Sequence, residues 1–428
     1  MSIAPSEEKI PTGASKSLPA MTVPPTPPSA PPSQELPKLR FAYLDGIRGF
    51  AALYVALFHC YQMQLLVSSD LDPARAWLFF ILKPLCMGHY AVAVFIVLSG
   101  YCLMLPIARV GGSYKLKDGP VNYFHRRARR ILPPFYASVL LTLALLPATR
   151  VAWDAIHASG RPQLLSLLGV PDKSAYLSQF LSHLALTNNG IPWNNEALVK
   201  FPSNSPLWSV ATEWQIYFLF PALLLPILRR FGSWISMSAG IGVGAALTFA
   251  FDGRYSLACP WMLGVFAIGM FGALISCSPE PIYGKLRKQV PWGWLSVFIL
   301  TAFLVLGTVK LGLFRRNPVI VDTILGMGIM CGLVAMSRVS ANQGALFGKL
   351  CVNILSSRIA RLLGGFSYSL YLIHYPLIVL AQACLIRAMH SLLVVDFIML
   401  LPVMGAIIGA AYLFSQMFER PFMRVVEK

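Results

Sequence analysis

Apolar runs of roughly 18 to 22 residues recur along this chain from about residue 41 to residue 416, each closed by a short cluster of charged or turn-forming residues. At ~1.5 Å of rise per residue, a helix of that length crosses the ~30 Å hydrocarbon layer of a bilayer. The pattern predicts membrane helices at about 41–62, 88–108, 132–149, 207–228, 233–251, 256–275, 293–311, 318–337, 366–386 and 394–416. The expected fold is all-α: a polytopic membrane helix bundle of about ten transmembrane helices. Residues 75–87 form a weaker run, broken by Lys83 and Pro84, and read as an interfacial lead-in. Residues 1–38 are rich in Pro and Ser, with six prolines between Pro24 and Pro32, and cannot nucleate helix or bury a core. They are expected to be a disordered tail with no signal peptide, leaving 39–428 as the membrane-embedded domain.

Composition sharpens this. Of 428 residues, 56% are hydrophobic, only 12% are charged, and the mean hydropathy is +0.64, outside the range of ordinary soluble domains. The net charge of +18 does not point to nucleic acid, because the basic residues stand in short clusters between apolar runs with no interleaved basic-aromatic strip. Read as topology signals, and with Arg48 and Lys83 set aside, they place about 23 Lys and Arg on one side of the membrane and about 10 on the other. The richer side is cytosolic, so both termini are expected in the cytosol and the long loop from about Arg150 to Pro206 on the far side. The eight cysteines show neither a Cys-x-x-Cys pair nor metal spacing and read as small apolar packers; no metal is called for.

The candidate chemistry lies where ionisable residues interrupt apolar helices, since burying a charge there is costly. The first predicted helix holds Asp45, Arg48 and His59. Arg48 and His59 are eleven positions apart, which brings them within ~20° of one face and ~16 Å along the axis. Gly46 and Gly49 flank this seam and admit close approach of a helix or a ligand. His59 suits a general base for acyl transfer to a hydroxyl; the competing reading is a buried histidine bonded to a neighbouring helix. For Asp45 and Arg48 the alternative is an i, i+3 ion pair that anchors the helix end. Arg126, Arg127, Arg129 and Arg130, four arginines in five positions, exceed what orientation needs and suit a pyrophosphate-bearing donor such as an acyl-coenzyme A. Glu213 lies among Trp208, Trp214 and Tyr217, where its carboxylate could take a hydrogen bond from His59, orient an acceptor hydroxyl or pair with a base. Ser99, in Leu98-Ser-Gly100, reads as a packing serine, and His374 as a histidine that lines the cavity or braces the turn before Pro376.

Five segments in order carry a family resemblance: Leu44-Asp-Gly-Ile-Arg-Gly49 with His59; Val94-Phe-Ile-Val-Leu-Ser-Gly-Tyr101; the arginine run through Leu132-Pro133; Leu207-Trp-Ser-Val-Ala-Thr-Glu-Trp-Gln-Ile-Tyr-Phe218; and Phe366-Ser-Tyr-Ser-Leu-Tyr-Leu-Ile-His-Tyr-Pro376. Together they resemble the acyltransferase 3 family of membrane O-acyltransferases over about residues 40–420. The resemblance implies an Arg-x10-His motif on Arg48 and His59, with the histidine catalytic and Asp45 and Glu213 in its company, and an Arg-x-x-Arg motif on Arg126 to Arg130 that binds the donor. It implies acyl-CoA, acetyl-CoA foremost, as donor substrate with no permanently bound cofactor, and a hydroxylated small molecule or glycan as acceptor, with Trp208, Tyr217 and His374 lining its site. Two departures stand out: a family Asp-x-Phe-Phe element reads Ala93-Val-Phe-Ile96 here, and the Ser/Thr-x-Glu region reads Val210-Ala-Thr-Glu-Trp214; in addition, no hydrolase-like domain is expected after the last span. The Pro-rich tail suits a eukaryotic, fungal enzyme of the endomembranes or plasma membrane. A transporter or a non-catalytic scaffold is the competing class; no inverted repeat supports the first, and the second has no use for the Arg48–His59 seam.

Overall fold

The computed structural model describes residues 1, 41–67, 81–158, 176–189, 204–250, 258–309, 311–340, 346–388, 395 and 398–424. The tail expected over 1–38, apart from Met1, and much of the loop expected over 150–206 lie outside the described residues. Among the described residues every element is helical. They are α1 (Ala42–Val67), α2 (Gly88–Val110, entered through a 3-10 turn at Lys83–Met87), α3 (Gly119–Ala158), α4 (Tyr176–Leu184), α5 (Trp208–Leu219), α6 (Leu225–Phe231), α7 (Ser233–Phe249), α8 (Met262–Cys277) and α9 (Pro281–Gln289). After these come α10 (Trp292–Val309), α11 (Leu311–Arg316), α12 (Pro318–Ser340), α13 (Leu346–Leu355), α14 (Arg358–Gly364), α15 (Ser367–Ala388), α16 (Met404–Phe418) and α17 (Arg420–Arg424).

Each of the ten expected spans meets a helix, but they are not equivalent. Among the described residues, seven helical stretches are long and apolar enough to cross a membrane, eight if α8 and α9, bent by 93°, count as one. α7 is apolar but only 17 residues long. α1 has the length, at 26 residues, and carries Asp45, Arg48 and His59. The run at 132–149 proves to be the middle of α3, a helix of 40 residues that begins at Gly119 and carries the arginine cluster as part of the rod.

Polar punctuation ends the helices as their chemistry predicts. α6 stops at Gly232, whose φ of +87° no β-carbon tolerates easily, and Arg229 and Arg230 occupy its last turn, where cations oppose the helix dipole. Arg287 turns back from α9 to donate to the Ile275 carbonyl of α8 at 2.6 Å and the Ser278 carbonyl at 3.0 Å, closing carbonyls left open by the bend. The basic clusters thus cap as well as orient.

The core is a bundle around α2 and α8. Their backbones approach through reciprocal glycines: a β-carbon on Gly100 would collide with the Phe266 carbonyl oxygen, and one on Gly269 with that of Val97. Small residues permit this packing, where dispersion contacts rather than hydrophobic burial hold membrane helices together. Gly46 and Gly49 do the same for α1, admitting the backbone of Leu355 and of Gly364. They receive a neighbouring helix, one of the two occupants the sequence allowed.

Candidate functional site

A cavity of about 300 Å³ opens between α1, α2, α3, α5 and α15. Arg48, Arg127 and Arg130 give it three guanidinium groups, against the single carboxylate of Glu213. α2 contributes one face of its helix, with Val92, Ile96, Ser99 and Leu103 recurring at three- and four-residue steps. α3 turns Arg127 and Arg130, an i, i+3 pair, toward the cavity. Arg126 points elsewhere, to Asp118 at 2.7 Å near the surface, and Arg129 does not line the cavity. Of the four arginines singled out in sequence, two therefore face the site. The Arg127 Nε is buried with no acceptor among the described residues, a donor left for an anion.

Arg48 reaches Asp45 at 3.5 Å and the Cys102 sulfur at 3.1 Å, so the ion pair foreseen within α1 exists and also holds Arg48 at the cavity wall. Glu213 accepts from both the Ser99 hydroxyl and the Tyr217 hydroxyl, and Tyr217 lies 3.3 Å from Ser99. These partners replace the bond to His59 that the sequence left open. Ser99 is thus part of the polar lining and not a packing residue, and Cys102 is a hydrogen-bond acceptor in the cavity wall. Neither was legible as such, because a serine beside a glycine and a cysteine in an apolar run look alike in any tightly packed helix.

His59 and His374 face one another, His59 Nδ1 to His374 Nε2 at 3.0 Å. The direction of that bond follows from the other ring nitrogen of His374. Its Nδ1 lies 3.1 Å from the Leu370 carbonyl and 2.8 Å from the Tyr371 carbonyl, and carbonyls only accept. Nδ1 of His374 therefore carries its hydrogen, and Nε2 of the neutral ring accepts from His59 Nδ1–H. The Val55 carbonyl, one turn back on α1, also bonds the His59 ring. What remains on His59 is an Nε2 lone pair, on a ring that is half-buried. The Tyr375 ring meets His59 edge-on with centroids 5.1 Å apart and fixes its plane. His59 and His374 do not themselves line the enclosed cavity; Tyr371 does, and its ring centroid is 5.8 Å from that of His374.

Trp208 does not line the cavity either. Its ring stacks on His89 at 6.1 Å, and His89 Nε2 lies 2.9 Å from Asp322 Oδ2, which also accepts from Trp261 Nε1 at 2.7 Å. Asp322 has no exposed surface. Sequence reasoning missed this pair, although the rule that selected Asp45, an acidic residue inside an apolar helix, applies equally to Asp322 in α12.

Asn204 Nδ2 bridges α3 to α15, donating to Thr142 Oγ1 at 3.0 Å and to the Leu372 carbonyl at 3.2 Å.

Comparison with known proteins places this arrangement. A membrane-bound transacylase of Komagataeibacter xylinus, BcsY, is 26% identical over 374 residues, covering 86% of this chain and 81% of that protein. The O-acetyltransferase OatA of Staphylococcus aureus is 23% identical over 353 residues, 79% of this chain but 51% of OatA, so the chain spans about half of that relative. Acyltransferase MdmB of Streptomyces mycarofaciens is 27% identical over 191 residues, 43% of this chain and 39% of that protein. No solved structure matches. The family model described as an acyltransferase domain matches residues 41–416, nearly the whole helical part, and the chain accordingly belongs to the acyltransferase 3 family of integral membrane acyltransferases.

Proposed function

We propose that the protein moves an acyl group, acetyl foremost, from acyl-CoA to a hydroxyl of a small molecule such as a secondary metabolite, or of a glycan. The observation that carries this reading is the pairing of a guanidinium-lined cavity with a histidine whose Nε2 lone pair is fixed by a second histidine. Arg127 and Arg130, with the unpaired Arg127 Nε, suit the phosphates of the donor. His59 Nε2 takes the proton of the acceptor hydroxyl as its oxygen attacks the acyl carbonyl carbon. The carbon–sulfur bond then breaks, and the proton passes to the leaving sulfur, which departs as the free thiol of coenzyme A. A positioned base supplies ~10²–10⁴-fold, and orientation of the two substrates supplies much of the remainder. Arg48, held between Asp45 and Cys102, adds positive charge to the wall facing the donor.

The same reading puts both termini and the arginine-lined end in the cytosol, where the basic clusters concentrate, and the acceptor at the opposite end. A fungal endomembrane or plasma membrane fits the proline-rich segment before α1.

The test is release of coenzyme A thiol from acetyl-CoA by the purified full chain in liposomes, wild type beside His59→Ala, with monosaccharides, sugar alcohols and polycyclic secondary alcohols as acceptors. Acceptor-dependent turnover that disappears in His59→Ala while acetyl-CoA still binds supports the reading. Turnover with none of the acceptors, together with donor binding that survives loss of Arg127 and Arg130, removes it.

A further inference from the structure

The His89–Asp322 pair has no part in the chemistry above, yet His89 stands one helical turn beyond Val92, a residue of the cavity wall. His89 and Ile96 are seven positions apart on α2, within ~20° of one another around the helix, so His89 continues the stripe that lines the cavity one turn beyond Val92. Thirteen residues separate His89 from Cys102, where Arg48 sits, placing the pair ~20 Å along α2 from the Arg48 end of the cavity. Trp208, stacked on His89, adjoins Ser209, which lines the cavity. α1 and α2 cross where Gly88 meets the Phe58 ring, with no room for a β-carbon, and His89 and His59 are the next residues on the two helices. The catalytic base and the paired histidine therefore flank one crossing point.

The pair is built to present a hydrogen-bonding atom. Asp322 is fully buried, and its Oδ2 takes both the Trp261 N–H and His89 Nε2. A carboxylate accepts, so His89 Nε2 carries hydrogen and Nδ1 is the nitrogen turned to other partners. No described group bonds to it, and the His89 side chain keeps 35% of its surface exposed. A carboxylate fixed by a second donor holds an imidazole in one orientation and one tautomer, as outer-shell carboxylates do for histidines that bind ligands. Beside that nitrogen, Trp208 offers an aromatic face and Tyr90 a ring at 5.4 Å from His89.

We propose that His89, oriented by Asp322 and Trp261 and walled by Trp208, is the acceptor subsite: it binds a hydroxyl of the acceptor neighbouring the one that is acylated, with the acceptor's ring face against the tryptophan. His89 is a positioning residue that sets the acceptor's register against His59. The proposal rests on the acyl-transfer reading and adds to it a requirement on the acceptor, a second hydroxyl beside the reacting one on a cyclic skeleton.

The experiment uses the full chain in liposomes with acetyl-CoA and the first acceptor of the panel above that the wild type acylates, paired with the analogue lacking the adjacent hydroxyl. Wild type is expected to prefer the complete acceptor by ~10-fold or more in kcat/KM, the reach of one well-placed hydrogen bond to an oriented group. His89→Ala should raise KM for the complete acceptor by a similar factor and erase the preference for it over the deoxy analogue. Hydrolysis of acetyl-CoA by water, which needs no acceptor contact, should stay at the wild-type rate, and KM for acetyl-CoA should not move. His89→Gln should restore part of the preference, and Asp322→Asn should weaken it with the same signature. Equal losses with acceptor, deoxy analogue and water would make the pair structural and overturn the proposal. So would a loss confined to kcat, as in His59→Ala, which would place His89 in the chemistry. If the wild type acylates nothing, the acyl-transfer reading fails and the subsite falls with it; if it acylates and His89→Ala discriminates as before, only the subsite falls.

Discussion

His374 is the residue whose removal most directly tests the proposed role of His59, because it touches His59 and does not line the cavity. Replacing it with phenylalanine keeps the ring volume while deleting the Nε2 that accepts from His59 Nδ1 at 3.0 Å. His59 then keeps its bond to the Val55 carbonyl but gains freedom to rotate or to change tautomer. A buried hydrogen bond contributes ~0.5–1.5 kcal/mol, and an orienting partner of a functional histidine is worth ~10–100-fold in related settings. The sum places His374→Phe at ~10–100-fold below wild type in kcat, short of the ~10²–10⁴-fold expected for His59→Ala. Because His374 acts through His59, His59→Ala with His374→Phe should be no slower than His59→Ala alone, the non-additivity of groups that work as one unit. The assay is single-turnover acetyl transfer at saturating donor, with monodispersity in detergent as the folding control. A His374→Phe protein that is folded and as fast as wild type would refute the orienting role. A double variant slower than His59→Ala by the full His374→Phe factor would show that His374 acts independently.

Arg127→Ala should raise KM for acyl-CoA by ~10–100-fold, since its guanidinium lines the cavity with an unpaired N–H, whereas Arg126→Ala, paired with Asp118 at the surface, should stay within ~3-fold in the same titration. Gly269→Ala should cost about 1–3 kcal/mol by driving a methyl into the Val97 carbonyl, seen as a lower thermal midpoint; Gly409→Ala, which meets no described atom, should leave the midpoint unchanged. In α4, burial depresses His183 from its ordinary 6.5 to about 4, while its Nδ1 bonds the Gln179 carbonyl at 2.8 Å. The unfolded segment binds the proton more readily, so the stabilisation is complete above pH ~6.5 and fades as pH falls toward 4, by about 3 kcal/mol in all. Hydrogen exchange over residues 176–189, corrected for intrinsic rate, should therefore quicken about 30-fold between pH 7 and pH 5; no change would refute a neutral His183.

The fold was legible wherever hydrophobic length alone decides it, as in α10, α12 and α16, because a bilayer leaves the backbone no alternative to helix. It was less legible in α3, where the apolar run at 132–149 begins after the arginines; the rod instead runs from Gly119 through them and through Pro133 and Pro134. Composition cannot distinguish a proline that begins a helix from one carried inside it when neighbouring helices hold the chain. In the site, Arg48, Glu213, Tyr217 and two of the four arginines emerged from charge or polarity in apolar surroundings and do share one cavity. The His59–His374 contact joins residues 315 apart, and His89–Asp322 joins residues 233 apart. Local pattern carries no information on such pairings, so His374 could be noticed but not given its partner, and His89 was passed over.

α3 has a consequence beyond placing its arginines. Thr142 stands twelve residues past Arg130, ~18 Å along the same helix, and through Asn204 it grips the Leu372 carbonyl, two residues before His374. A helix resists compression, so α3 ties the position of Arg127 and Arg130 to the stretch of α15 that carries His374. The arginine-lined cavity and the His59–His374 pair are thus joined through one helix and a single asparagine bridge.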